Sequence, residues 1–172
     1  MLSKYPLVCA RLIDNVESDN FTLLTVSLDV LGYIAETSKG KIALSSLGKF
    51  YTYDCYLPYE SALNTFVGDE MNKTLSVIVE RLTSLPTESR LRALHCLESF
   101  LRVQADERQV SEVTRNWFSV MSDEPLGWIM KYAKNPFHEI RSAGLGLLRA
   151  LSTQLWGHKV IRNSPGIEVY VF

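Results

Sequence analysis

Residues 135–166 read NPFHEIRSAGLGLLRALSTQLWGHKVIRNSPG. Started as a helix at Pro136, this stretch puts Phe137, Ile140, Gly144, Leu147, Leu148, Leu151 and Leu155 on one stripe at spacings of three and four, the period of a buried helical face. Ala143, Leu145 and Ala150 widen the stripe on both flanks, and the polar arc of His138, Glu139, Ser142, Arg149 and Thr153 is narrow. A helix with so little polar surface must meet neighbours on more than one side, as a helix inside a stack of helix pairs does. Asn135 is placed to cap the first turn and Pro136 stands where its missing N–H costs nothing. Gly157 is expected to break the helix.

The same signature recurs twice upstream. Leu145, Leu147, Leu148 and Leu151 align with Leu94, Cys96, Leu97 and Phe100 at an offset of 51 residues, and these with Leu28, Val30, Leu31 and Ile34 at a further 66. Gly40-Lys41 follows the first copy as Gly157-His158 follows the last, each 12 residues past the aligned leucine. A helix, a glycine break, a short amphipathic turn and a fresh helix is the rhythm of an armadillo or HEAT array, here with irregular periods. The expected fold is all-α: an armadillo/HEAT-like α-solenoid of about three to four repeats, forming a single helical-repeat domain over residues 1–172.

The bulk composition agrees. The chain has 172 residues, 47% hydrophobic and 22% charged, enough for one substantial core or a short repeat array. A net charge of −1 and scattered lysines and arginines supply no basic field, so nucleic acid is not an expected partner. No apolar run approaches the roughly 20 residues that cross a bilayer, and charges come too early in MLSKYPLVCARLIDNVESD for a signal-peptide core. The three cysteines, Cys9, Cys55 and Cys96, have no metal-like spacing and read as free thiols of a reducing, intracellular protein. The compartment expected is the cytoplasm, with the nucleus as a second location.

In chain order, helices are expected over Lys4 to Val16, Phe21 to Thr37, Met71 to Leu85, Thr87 to about Gln104, Ala105 to Ser122 and Leu126 to Lys134. Asp19 or Asn20 starts the second and Thr87 caps the helix after Pro86. Gly32 inside the second helix marks a close helix contact, since glycine there costs about 1 kcal/mol against alanine. Trp117, Trp128 and Trp156 read as core anchors. Ile167 to Phe172 reads as the opening of another helix, and neither end carries a polar capping repeat, so the chain is expected to be part of a longer one.

Residues 49–70 fall outside the rhythm. Phe50, Tyr51, Tyr53, Tyr56, Tyr59 and Phe66 surround Pro58 with no steady period, an irregular aromatic insertion. It reads either as cover for a groove between repeats or as a partner-binding insertion. Arg90, Arg92 and Arg102 stand out against leucines, with Glu98 four residues before Arg102. They read as a solvated face or, on the inner side of a superhelix, as a receiver of acidic partner segments through paired hydrogen bonds to carboxylates. Arg92, Arg102 and Arg141 are the protein-binding candidates, chosen on charge and helix face.

Residues suited to catalysis are sparse. His95, His138 and His158 have neither HExxH spacing nor a cysteine partner. Gly144-Leu-Gly146 lacks a third glycine and a preceding strand, so it is no dinucleotide fingerprint, and neither a GxSxG elbow nor a phosphate loop is present. No enzyme, cofactor, metal or small-molecule substrate is expected.

Trp117-Phe118-Ser119, Asp123 with Pro125-Leu126, Pro136-Phe137 with Glu139, Trp156 and Asn163-Ser164-Pro165-Gly166 occur in the order that resembles the C-terminal part of the proteasome non-ATPase regulatory subunit 5 family. Tyr5-Pro6, Glu17-Ser18, Val26 to Gly32 and Gly40-Lys41 extend the resemblance through the first part of the chain, and residues 49–70 depart from it. The resemblance implies an armadillo/HEAT-like assembly chaperone without catalysis. Such a protein binds the C-terminal region of an ATPase subunit of the proteasome regulatory particle base, with other base subunits as further contacts, and is absent from the finished particle. The alternative is a general armadillo-type peptide-binding scaffold or transport adaptor, whose ladders of asparagine and tryptophan the three aligned helices lack.

Overall fold

The computed structural model of the chain describes residues 6–47, 70–103 and 107–164, so most of the 49–70 insertion, Cys55 and the 167–172 stretch lie outside the described residues. Among the described residues there are nine α-helices and no strand. They are α1 (Pro6–Glu17), α2 (Phe21–Ala35), α3 (Ser38–Ser45), α4 (Glu70–Arg81), α5 (Thr87–Leu101), α6 (Arg108–Val120), α7 (Pro125–Ala133), α8 (His138–Ser152) and α9 (Leu155–Arg162). The helices α2, α5 and α8 lie side by side as a row, α2 against α5 and α5 against α8. Behind them α1 packs on α2 and α4, α7 packs on α8, and α6 touches α3, α4, α5 and α7. This layering is consistent with an α-solenoid.

One apolar core runs through the layers. Leu24, Leu28 and Leu31 of α2, Leu75 of α4, Leu94, Leu97 and Phe100 of α5, Trp117 of α6 and Leu147 and Leu151 of α8 are all at most 2% exposed. Phe100 meets Trp117 edge to face, with ring centroids 5.1 Å apart, and Phe118 tilts against Trp156 at 5.3 Å. Trp128 is half-buried; its ring stands edge-on to Tyr132 and its indole N–H has no partner. The close contact expected at Gly32 is present: a Cβ there would come within 3.3 Å of the Cys96 Cα on α5. Cys9 and Cys96 are buried free thiols, and burial pushes both up from the ordinary thiol range, Cys96 further because it is more deeply buried, with the nearby Asp29 adding to the effect.

Several local expectations change. Asn20 does cap α2, its Oδ1 accepting from the Thr22 and Leu23 N–H groups at 3.1 and 3.3 Å. By contrast, α8 starts at His138 with Phe137 as its cap residue, and Asn135 Oδ1 instead accepts from the Phe137 N–H at 3.0 Å. That turn pulls Phe137 out of the predicted stripe, leaving it 70% exposed. Thr87 is the first helical residue of α5 and makes no cap, since Pro86 holds that position. Gly157 does not break α8, which ends at Ser152; it lies inside α9, as Gly40 lies inside α3. Both glycines let a short helix turn tightly against the preceding one, because a Cβ would collide with the carbonyl of Leu151 or of Ile34. Leu145, aligned by sequence with the buried Leu28 and Leu94, is 44% exposed, and Leu155 is 85% exposed. Burial matches when Gly144 takes the place of Leu145, a shift of 50 residues from α5: Ala143, Gly144, Leu147 and Leu151 then fall on Ala93, Leu94, Leu97 and Leu101.

Gly144 sits where α7 crosses α8. A Cβ there would overlap the backbone of Tyr132 and Ala133, so the crossing depends on the absent side chain. Gly144→Val should therefore destabilise the protein by about 2–3 kcal/mol in urea unfolding. Gly127→Ala, whose Cβ meets only the movable side chain of Glu124, should stay within about 0.5 kcal/mol of wild type.

Lys41 is buried, and its Nζ donates to the carbonyls of Ala35, at the end of α2, and of Ser99 in α5 at 2.7 Å. Burial, helped by the Arg102 guanidinium, lowers its pKa from 10.5 to about 8. The unfolded chain then holds a proton that the folded chain has released between about pH 8 and 10.5, so this group's contribution to stability rises with pH across that window. The stability of wild type relative to Lys41→Met, followed by thermal melts, should increase from pH 8 to pH 10; a flat or shrinking difference would contradict the assignment.

Candidate protein-binding surface

Of the three arginines singled out from sequence, Arg92 lies on α5, Arg102 directly after it and Arg141 on α8, all in the α2, α5 and α8 row. Each has an intramolecular partner. Arg92 on α5 reaches back to α2, where its Nη1 is 2.6 Å from Asp29 Oδ2, while its Nη2 is 3.4 Å from Glu88 Oε1 one turn earlier. Arg102, which follows the last turn of α5, pairs with Glu98, and His95 Nδ1 lies 3.6 Å from the same carboxylate. Arg141 on α8 turns inward along its own turn, its Nη1 donating at 3.0 Å to the carbonyls of both Asn135 and Pro136. Arg102, with its side chain 59% exposed, and Arg92, at 44%, remain open to a partner. Arg141 serves the turn between α7 and α8.

Arg90, read from sequence with the same set, is a brace as well. Its Nε and Nη2 donate to the carbonyls of Leu82, Thr83 and Leu85 at 2.7–3.1 Å, closing the turn after α4. Arg81 does the same for the end of α1, donating to Val16 and Ser18 carbonyls at 2.5 and 2.9 Å. The charged part of the row is therefore narrower than the arginine count suggests: Glu88, Asp29 and Arg92, then His95, Glu98 and Arg102.

Beside it lies a stripe that the sequence reading passed over. Leu23, Val26, Val30 and Tyr33 of α2 are exposed, Tyr33 by 76%. The available signal was the composition of α2, FTLLTVSLDVLGYIA, which is apolar nearly all round and so cannot hide every large side chain in one core. A concavity of about 1300 Å³ opens between α6 and α9. Glu107, Glu112 and Asp123 line it together with Arg108, Arg115 and Lys159, so it presents no single sign of charge. Its floor is Gln154, whose Oε1 accepts from Thr114 Oγ1 and Trp156 Nε1 at 2.7 Å and from Ser111 Oγ at 3.2 Å, while its Nε2 donates to the Leu101 carbonyl at 2.7 Å. Gln154 ties α5, α6 and α9 together.

Nine helices among the described residues, layered behind one row, define an all-α protein consistent with an α-solenoid. The family model for the proteasome non-ATPase 26S subunit matches residues 1–172, and the chain belongs to that family. It is 25% identical over 170 residues to the 26S proteasome non-ATPase regulatory subunit 5 of Homo sapiens, and 25% and 21% identical to the proteins of that name from Bos taurus and Drosophila melanogaster. The human match takes in 98% of this chain and 30% of the relative, so the chain spans less than a third of the relative's length. No solved structure matches the chain.

The two arginine roles separate by stability. Arg141→Ala removes a charged donor from two carbonyls and should cost about 1–3 kcal/mol in chemical unfolding. Arg92→Ala, which removes only exposed ion pairs, should cost less than about 1 kcal/mol.

Proposed function

We propose that this protein is a non-catalytic chaperone for assembly of the proteasome regulatory particle base, holding an ATPase subunit by its C-terminal region and leaving before the mature particle forms. The observation that supports this most directly is the match of the non-ATPase 26S subunit family model to residues 1–172, on a chain in which α2, α5 and α8 line up in one row. In this reading α1 and α2 form one repeat, α3 to α5 a second and α6 to α8 a third, with α9 opening a fourth. Together they make a single armadillo/HEAT-like domain that works in the cytoplasm. Such a row offers a long surface to a folded client, and release needs only that the mature assembly compete for the same client surface.

Arg102 and Arg92 are the residues assigned to the client, since both keep exposed guanidinium edges that fit carboxylates. A general armadillo peptide binder is the weaker reading, because α2, α5 and α8 contain no asparagine and no tryptophan.

Immobilised protein should retain base ATPase subunits from a mixture of purified proteasome subcomplexes without retaining core particle. Arg102→Glu combined with Arg92→Glu should lower that retention about tenfold while leaving the melting temperature nearly unchanged. Retention of complete 26S particles, or of proteins with basic import signals in place of ATPases, would overturn the proposal.

A further inference from the structure

The glycines inside α2 and α8 make close approaches, and they do not all admit the same thing. A Cβ at Gly32 would come within 3.3 Å of the Cys96 Cα, and one at Gly144 would overlap the backbone of Tyr132 and Ala133, so both glycines admit a neighbouring helix. At Gly146 on α8 the nearest atoms all belong to one side chain, the Glu98 carboxyl group: Oε2 at 2.7 Å, Cδ at 3.0 Å and Oε1 at 3.2 Å. The space that Gly146 leaves is filled by a carboxylate from α5.

That carboxylate is only 13% exposed, whereas Asp29 and Glu88, the partners of Arg92, are exposed. Its Oε1 accepts from Arg102 Nη2, and its Oε2 lies 3.6 Å from His95 Nδ1. The Glu98 carbonyl also accepts from the Arg102 backbone N–H at 2.9 Å. One residue thus holds Arg102 twice, at the backbone where the chain leaves α5 and at the guanidinium. Arg102 Nε and Nη1 have no partner among the described residues, and these donors are open to a second carboxylate. An ion pair at a helix seam gives packing nothing that an apolar side chain of similar volume would not give. What Glu98 adds is a guanidinium already held in place: a free arginine gives up its rotamer freedom when a partner binds, and a held one has less to lose.

We propose that Glu98, seated on Gly146, is a positioning residue that holds Arg102 for a carboxylate of the partner. This rests on the assignment of Arg102 to the client made above. The guanidinium then bridges two carboxylates, Glu98 at Nη2 and the partner's at the remaining donors. Arg92 has no such seat, since its own carboxylates are exposed, and it contributes charge without a fixed orientation.

The test is the Kd of immobilised protein for purified base ATPase subunits. Arg102→Ala should raise it about three- to fivefold, and Gly146→Ala and Glu98→Ala about two- to threefold each, the share that comes from holding one long side chain. Gly146→Ala should melt within a few degrees of wild type, because its Cβ displaces only the mobile end of Glu98. Glu98→Ala gives a second reading should Gly146→Ala fail to fold. Gly146→Ala should add nothing in the Glu98→Ala background, and neither change should add anything in the Arg102→Ala background, a coupling that loss of packing would not produce. An Arg102→Ala variant that binds like wild type would remove Arg102 from the client surface and this inference with it. If Arg102→Ala weakens binding while Gly146→Ala and Glu98→Ala do not, the client assignment stands and the positioning role is overturned. Losses that persist in the Arg102→Ala background would also overturn it. A Glu98→Ala variant that binds more tightly than wild type would overturn it in favour of a carboxylate that competes with the partner for Arg102.

Discussion

Stacked helices bring their C-terminal carbonyls into turns that neighbouring elements cover, and each helix leaves four such groups without a partner of its own. In this protein side chains from later elements supply the missing donors. Arg81 of α4 serves the end of α1, Lys41 of α3 the end of α2, Arg90 of α5 the end of α4, Gln154 the end of α5 and Arg141 of α8 the turn after α7. Four of the five carry or can carry positive charge, which also suits the negative end of the helix dipole. Because a donor must reach a specific carbonyl, each bond sets how one helical unit sits on the last, a constraint that apolar contact alone does not impose.

That arrangement divides the cationic residues into two groups with different duties. Those that close turns are committed to backbone oxygens and are poor candidates for partner recognition. Arg92 holds the exposed carboxylates of Asp29 and Glu88, pairs that are weak and easily exchanged for a partner's groups, whereas Arg102 holds the largely buried carboxylate of Glu98 and keeps its own guanidinium exposed. The surface that remains carries charge on α5 and exposed apolar side chains on α2 and α8.

Periodicity made the helices legible: the 3.6-residue stripes around Leu31, Leu97 and Leu148 mark α2, α5 and α8, and Gly32 signalled its close neighbour in advance. The candidate surface was legible only in part. Arg92, Arg102 and Arg141 look alike as sequence, since each is an arginine on a leucine-rich helix, yet Arg141 folds back on Asn135 and Pro136 while the others face outward. The difference lies in where the neighbouring turn ends, which spacing along one helix does not encode. The stripe of Leu23, Val26, Val30 and Tyr33 escaped for a related reason: an apolar side chain that seats a neighbour and one that lacks a neighbour have the same spacing.

By itself the amino-acid sequence determined that this chain is helical, where most helices run, and which family it resembles, because each of these depends on local periodicity and on motifs read in order. Only the tertiary structure decided the register of α8, which burial sets one residue away from the leucine alignment so that Gly144 can take the close approach of α7. It also decided the exposure of Phe137, Leu145 and Leu155, and the carbonyl each cation serves. These depend on contacts between segments tens of residues apart, and a stripe of leucines is compatible with any neighbour that has a groove of the right width.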